Sequence, residues 1–68
     1  MIEHVIRPDG SEFWLYNYKF HRLDAAAIIR ARGEEEWMKN NKYHRIDGPA
    51  IIYDNGTEYW YQNGKPMK

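Results

Sequence analysis

Residues 34–56 read EEEWMKNNKYHRIDGPAIIYDNG, and they can be laid over residues 11–33, SEFWLYNYKFHRLDAAAIIRARG, without a gap. Eleven of the 23 aligned positions are identical, far more than chance alignment of two short segments produces. The identical pairs are Glu12/Glu35, Trp14/Trp37, Asn17/Asn40, Lys19/Lys42, His21/His44, Arg22/Arg45, Asp24/Asp47, Ala27/Ala50, Ile28/Ile51, Ile29/Ile52 and Gly33/Gly56. The sequence therefore predicts a tandem array in which each unit buries its apolar face against its neighbours.

The same phase continues on both sides of these two units. Glu58, Trp60 and Asn63 repeat the opening of a unit, and Val5 and Ile6 repeat the apolar pair near its end. We therefore expect one repeat domain over residues 1–68, with full units at 11–33 and 34–56 and partial units at 1–10 and 57–68.

Turn residues recur at fixed places in the array. Residues 8–10 (Pro-Asp-Gly), 31–33 (Ala-Arg-Gly) and 54–56 (Asp-Asn-Gly) each end in a glycine, which takes the positive φ that closes a three-residue hairpin loop. The strands that these loops would join are 3–7 with 12–16, 27–30 with 35–39, and 50–53 with 58–62. The predicted fold class is all-β, a small antiparallel β-meander of about three repeated hairpins with a 23-residue period.

A second turn follows each tryptophan strand, at residues 17–19, 40–42 and 63–65. Asn63-Gly64 is the best dipeptide for a two-residue hairpin turn, whereas Tyr18 suits such a turn poorly. Residues 24–32 also fit an alternative, a helix capped by Asp24 and ended by Gly33. The aligned segment carries Gly48 and Pro49, which propagate a helix badly, so a strand is the favoured interpretation.

The string His-Arg-Ile-Asp-Gly-Pro-Ala at residues 44–50, with the Asp-Asn-Gly turn and the aromatic strand and Asn-Gly-Lys of residues 59–65, resembles the MORN-like hairpin-repeat family. The resemblance implies a meandering sheet that serves as a scaffold or binding surface, with no common reaction. Many proteins with such repeats look like products of bacteriophages and their hosts, which implies a phage accessory protein in the host cytoplasm. Unit 11–33 departs from the pattern, because Ala25 and Ala26 replace Gly and Pro, and its loop is expected to differ in shape.

The His-Arg-x-Asp motif is the most enzyme-like feature, because a carboxylate near a histidine can orient a general base. Its repetition favours a structural role, in which the aspartate accepts backbone N–H groups of the loop and the arginine pairs with a carboxylate. We predict that the chain is not an enzyme; the alternatives are catalysis and direct partner contact. The motif residues are His21, Arg22, Asp24, His44, Arg45 and Asp47.

Strand alternation places the tryptophans on one face of the sheet and a variable apolar set on the other. Because Trp14, Trp37 and Trp60 recur in register, they are predicted to form a buried ladder. The opposite face is predicted to be an exposed protein-binding stripe. This stripe consists of Phe13, Leu15, Met38, Tyr59 and Tyr61.

Composition restricts the possible partners and cofactors. Ten basic and ten acidic residues give zero net charge, so nucleic acid is a disfavoured partner. For the same reason the aromatic side chains are not expected to form a platform for single-stranded nucleic acid. There is no cysteine, and the sequence predicts no metal, no cofactor and no membrane segment, so a soluble cytoplasmic protein is expected. The predicted function is a small protein-binding module that modulates or inhibits a host protein. The alternative is a structural, self-assembling β-repeat protein, since open sheet edges favour homo-oligomers.

Overall fold

The computed structural model describes residues 2–67. Short extended segments joined by tight turns form every regular element in this range, and none of it is helical. The strands are β1 Ile2–Ile6, β2 Glu12–Tyr16, β3 Lys19–Phe20, β4 Ile28–Ile29, β5 Glu35–Glu36, β6 Met38–Lys39, β7 Lys42–Tyr43, β8 Ile51–Ile52, β9 Glu58–Tyr59, β10 Tyr61–Gln62 and β11 Lys65–Pro66. The prediction of an all-β antiparallel meander is confirmed, and residues 24–32 contain a strand and no helix.

One sheet runs through the molecule in the order β1-β2-β4-β5-β8-β9, and every pairing in it is antiparallel. Strand β3 pairs with the far end of β2, and β6-β7 and β10-β11 form two small separate sheets. Each small hairpin therefore projects from the end of a tryptophan strand. The described residues span 33 × 27 × 15 Å, so the fold is thin in one direction.

The chain leaves the main sheet at the tryptophan. Trp37 lies between β5 and β6 and Trp60 lies between β9 and β10. The Trp37 N–H donates to the Ala50 carbonyl at 2.6 Å, and its own carbonyl accepts the His44 N–H at 3.0 Å. The backbone groups of this residue therefore bond to the returning loop.

The predicted turns form at both ends of the hairpins. Gly10, Gly33 and Gly56 have φ of 93°, 91° and 90°, and each donates its N–H to the carbonyl three residues earlier. In the second set of turns both central residues have positive φ, at Asn17-Tyr18, Asn40-Asn41 and Asn63-Gly64. This is the twist that a two-residue hairpin requires.

The core lies on the face opposite the tryptophans. Ala27, Ile28 and Met38 are buried together, and the partly buried rings of Phe13, Phe20 and Tyr43 pack against them. Ile28 and Ile51 occupy one row of the sheet, on either side of Glu36. Burying apolar surface here is the main stabilising contribution available to so thin a fold.

The prediction of a buried tryptophan ladder is wrong. Trp14, Trp37 and Trp60 are only half-buried, whereas Met38, predicted to be exposed, is 7% exposed. The physical reason is that the small hairpins fold against the opposite face, where Phe20 and Tyr43 cover it. Trp14 and Trp37 each lie under an arginine side chain.

Candidate functional site

Two arginine–tryptophan stacks dominate the face that carries the tryptophans. The guanidinium carbon of Arg22 lies 3.9 Å from the centroid of the Trp14 ring, and that of Arg45 lies 3.8 Å from Trp37. A cation at this distance is attracted by the quadrupole of the indole, and its planar shape covers the ring. Trp14 and Trp37 therefore act as platforms for the arginines of the loops that follow them.

Further contacts hold each arginine in place. Arg45 donates from Nη1 to the Pro49 carbonyl at 3.1 Å, and its Nε lies 3.5 Å from Oδ1 of Asp47. Arg22 repeats this arrangement with the Ala26 carbonyl at 3.2 Å and with Asp24 at 3.5 Å. The predicted pairing of the arginine with a carboxylate is confirmed.

The predicted backbone contacts of Asp24 and Asp47 are wrong, because neither accepts a backbone N–H within residues 2–67. Both aspartates are largely exposed beside their arginines. The Asx-type turn occurs at the hairpin loops instead, where Asp9 accepts the Ser11 N–H at 2.9 Å. This backbone hydrogen bond from Ser11 lowers the pKa of Asp9.

The histidines of the motif connect each loop to the next unit. Nδ1 of His21 accepts the N–H of Asn40 at 3.1 Å, and Nδ1 of His44 accepts that of Asn63 at 3.0 Å. Nδ1 must carry a lone pair to accept, so these rings are unprotonated at that nitrogen. Each histidine thereby fixes the position of a turn that already has positive φ.

The two loops keep the same contacts despite their different sequences. A Cβ added to Gly48 would lie 2.7 Å from Cζ of Arg45, at the far end of that side chain. Ala25 stands at the aligned position, and Arg22 still stacks on its tryptophan there at 3.9 Å. Replacement of Gly-Pro by Ala-Ala therefore leaves the stack, the carbonyl contact and the ion pair in place.

The variable position of each motif carries an exposed aliphatic side chain. Leu23 is 68% exposed and Ile46 is 73% exposed, although both sit on loops whose neighbours are tightly bonded. Neither residue is among the site residues predicted from the sequence. The available signal was an apolar residue at the x of both His-Arg-x-Asp motifs, in a loop where a polar residue is the usual choice.

Two shallow grooves open beside these side chains. The larger has a volume of about 400 Å³ and is lined in part by Arg22, Leu23, Trp37, Lys39 and Ile46. The smaller, of about 320 Å³, lies against Ile2, Trp14, His21 and Leu23. We call Leu23, Ile46 and the two grooves the loop surface.

Comparisons with known protein families, with curated proteins and with solved structures found no match.

The five residues of the predicted binding stripe do not share one exposed face. Met38 is in the core, Phe13 packs against it, and Leu15 and Tyr61 are half-buried. Tyr59 is 47% exposed at the end of the sheet. A continuous exposed stripe is therefore wrong as a description of this face, while partner contact by its accessible members stays a prediction.

A half-buried carboxylate on the core face is paired with an arginine and a tyrosine. Glu36 accepts from Arg30 at 2.9 Å and from the Tyr43 hydroxyl at 3.1 Å. Burial raises the pKa of Tyr43, and the nearby Glu36 carboxylate raises it further. These groups stabilise the sheet at a position between two buried isoleucines.

Within residues 2–67, no group of three or more His, Cys, Asp or Glu side chains is placed to hold a metal ion. No helix in this range is long and apolar enough to cross a membrane. Asp24 and Asp47, which the catalytic alternative would pair with histidines, contact the arginines.

Proposed function

We propose that this chain is a small protein-binding module and that the loop surface makes the contact. The observation that carries the proposal is the exposure of Leu23 and Ile46, at 68% and 73%, on loops held in place by stacked arginines. An aliphatic side chain buried in a partner stabilises a complex by about 1.5–3 kcal/mol. Two such side chains on adjacent units can contact one partner together.

Preorganisation of the loops supports the same proposal. Binding costs free energy when loops and side chains must be ordered at the interface. Here the loop around Ile46 is fixed in advance by Arg45, which bonds to Pro49, pairs with Asp47 and stacks on Trp37. Little ordering is left to oppose binding.

The charges of the larger groove favour an acidic partner. Arg22, Lys39 and Arg45 line it together with Asp47. Asp24 and Asp47 pair with the two arginines, so the excess positive charge of the groove is that of Lys39. A partner segment that presents carboxylates next to apolar side chains complements both the cations and Leu23. Complementary charge of this kind mainly raises the rate and specificity of association.

A comparison of captured proteins tests the proposal. Three immobilised proteins are exposed to the same cell lysate: the wild-type chain, a Leu23→Ser/Ile46→Ser variant and a Tyr18→Ser control. The proteins that each one binds are quantified by mass spectrometry. Tyr18 is the matched control because it is 89% exposed but lies in the Asn17-Tyr18 turn, outside the loops that carry Leu23 and Ile46. We expect a specific partner to bind wild type and control equally and to lose at least tenfold in affinity for the double variant, as the loss of about 1.4 kcal/mol or more implies.

A further variant separates the loop surface from the sheet residues predicted from the sequence. Tyr59→Ala alters the exposed member of that set and leaves the loops unchanged. Loss of the partner in this variant alone would contradict contact through the loop surface and favour contact at the end of the sheet.

The finer proposal concerns the role of the partner. The resemblance of residues 44–65 to MORN-like repeats supports a phage accessory protein that modulates or inhibits a host protein. Expression of the wild-type chain in bacterial cells should then slow growth, and the Leu23→Ser/Ile46→Ser variant should not. Equal growth at equal expression would contradict an inhibitory role.

A further inference from the structure

The two outer strands of the sheet are of different kinds. Among residues 2–67, β1 pairs only with β2, and β9 pairs only with β8. All five residues of β1 are exposed, including Ile2 at 47%, Val5 at 40% and Ile6 at 67%. An edge with this much apolar surface can pair with another strand.

Two kinds of strand alternate across the main sheet. One kind carries a pair of aliphatic residues, and the other begins with a glutamate and contains or precedes a tryptophan. Within the chain, β2 pairs with β4 through Glu12 opposite Ile29, and β5 pairs with β8 through Glu35 opposite Ile52. At the two edges, β1 carries Val5-Ile6 where β4 and β8 carry Ile-Ile, and β9 carries Glu58-Tyr59 where β2 begins Glu12-Phe13. One edge is therefore the complement of the other.

The backbone of β9 is oriented to accept such a strand. The carbonyls of Thr57 and Tyr59 accept the N–H groups of Tyr53 and Ala50, both at 2.9 Å. Successive residues of an antiparallel strand direct their N–H and C=O groups to opposite sides. Glu58, between these two, therefore directs its N–H and C=O away from β8.

The backbone of β1 has the matching orientation. The N–H of Arg7 donates to the Ser11 carbonyl at 2.8 Å, toward β2. By the same alternation the N–H and C=O of Ile6 point away from β2. Ile6 and Glu58 are thus the outward-facing residues of the two edges, as Ile29 and Glu12 are inside the sheet.

We propose that β1 of a second copy of this chain adds to β9, antiparallel, with Ile6 of one copy opposite Glu58 of the other. Val5 then lies opposite Tyr59, which continues the row formed by Phe13, Ile28, Glu36 and Ile51. The contact covers the exposed Val5, Ile6 and Tyr59 side chains. Because it joins unlike edges, it is a head-to-tail contact that forms open chains of molecules or rings.

Two proline variants test the pairing. Proline removes an N–H, so Ile6→Pro blocks β1 and Glu58→Pro blocks β9, while neither removes a hydrogen bond inside one molecule. Ala31→Pro is the control, because residue 31 aligns with Pro8 at the same position of a hairpin loop. Circular dichroism and thermal melting verify that each variant folds.

Solution mass is then measured against concentration. Wild type and Ala31→Pro should gain mass as concentration rises, whereas Ile6→Pro and Glu58→Pro should each stay at the mass of one chain. An equal mixture of the two blocked variants should form a dimer and nothing larger, because each supplies the edge that the other lacks. A monomeric wild type up to its solubility limit, or association of Glu58→Pro alone, would overturn the proposal.

A measurement on the wild-type chain avoids variants that fail to fold. As the protein concentration rises, the amides of Ile6 and Glu58 should exchange more slowly with solvent. Both amides should slow over the same range of concentration. Unchanged exchange while mass increases would also overturn the proposed register. The loop variant Leu23→Ser/Ile46→Ser should associate as wild type does, so this pairing and the proposed function can fail separately.

Discussion

The central guanidinium carbon of Arg45 lies over the indole of Trp37, 3.8 Å from the ring centroid. Arg45→Lys keeps the charge but loses the delocalised guanidinium over the ring and its directed hydrogen bond to the Pro49 carbonyl. We expect a loss of about 1 kcal/mol in the free energy of unfolding, measured by urea denaturation. Arg32→Lys, at an exposed position of a hairpin loop, is the control and should change little. Equal effects of the two substitutions would show that the stack does not stabilise the fold.

The histidines provide a prediction that is specific to single amides. His44→Ala removes the acceptor of the Asn63 N–H, and His21→Ala removes that of the Asn40 N–H. In each variant, we expect faster hydrogen exchange at the amide that lost its acceptor. The other amide serves as the internal control. Faster exchange at both amides in either variant would indicate global destabilisation and contradict a local contact.

Met38 tests which face of the sheet is the core. Met38→Ala should lower the free energy of unfolding by about 2 kcal/mol or more, since it leaves a cavity in the cluster that Met38 forms with Ala27 and Ile28. Met67→Ala is the matched control because that side chain is 49% exposed, and its effect should stay within about 0.5 kcal/mol. A small loss for Met38→Ala would mean that the opposite face contains the core after all.

Tyr18 occupies a conformation that its side chain disfavours. Its φ is 64° and its ring is 89% exposed, so little packing offsets the backbone strain. Tyr18→Gly should raise the free energy of unfolding by about 0.5 kcal/mol, the strain relieved being larger than the added freedom of the unfolded chain. Asn41→Gly, at the aligned position, should lower it, because Oδ1 of Asn41 accepts the Phe20 N–H at 2.7 Å. A destabilising Tyr18→Gly would mean that the exposed ring contributes to the fold.

Tyr43 makes stability depend on alkaline pH. Burial, and then the Glu36 carboxylate, raise its pKa above the ordinary value of 10.0, so the folded state retains the proton longer than the unfolded state. This contribution is complete below that ordinary value and is lost as pH rises through the higher folded value. Tyr43→Phe should therefore show a shallower loss of stability at alkaline pH in urea denaturation series. Equal slopes for the two proteins would contradict the shift.

Local chemistry made the hairpins readable from the sequence. A glycine closing each three-residue loop and an asparagine opening each two-residue turn specify backbone angles within a few residues, and Gly10 and Asn63 adopt them. The same holds for the strand at Ile28–Ile29, where comparison of two aligned segments decided against a helix. The pairing of Arg45 with Asp47 is equally local, since the two are neighbours in one loop.

The side of the sheet that becomes core was decided only by the tertiary structure. Recurrence of Trp37 showed that its position matters, but a ring can recur because it is buried or because an arginine stacks on it. Which of these occurs depends on where the small hairpins fold, and they bring Phe20 and Tyr43 over Met38. The exposure of Leu23 and Ile46 also depends on tertiary contacts. The side of each loop that faces solvent is fixed only when its arginine packs on the tryptophan. Turn geometry is therefore a property of a few adjacent residues, whereas burial depends on contacts between units.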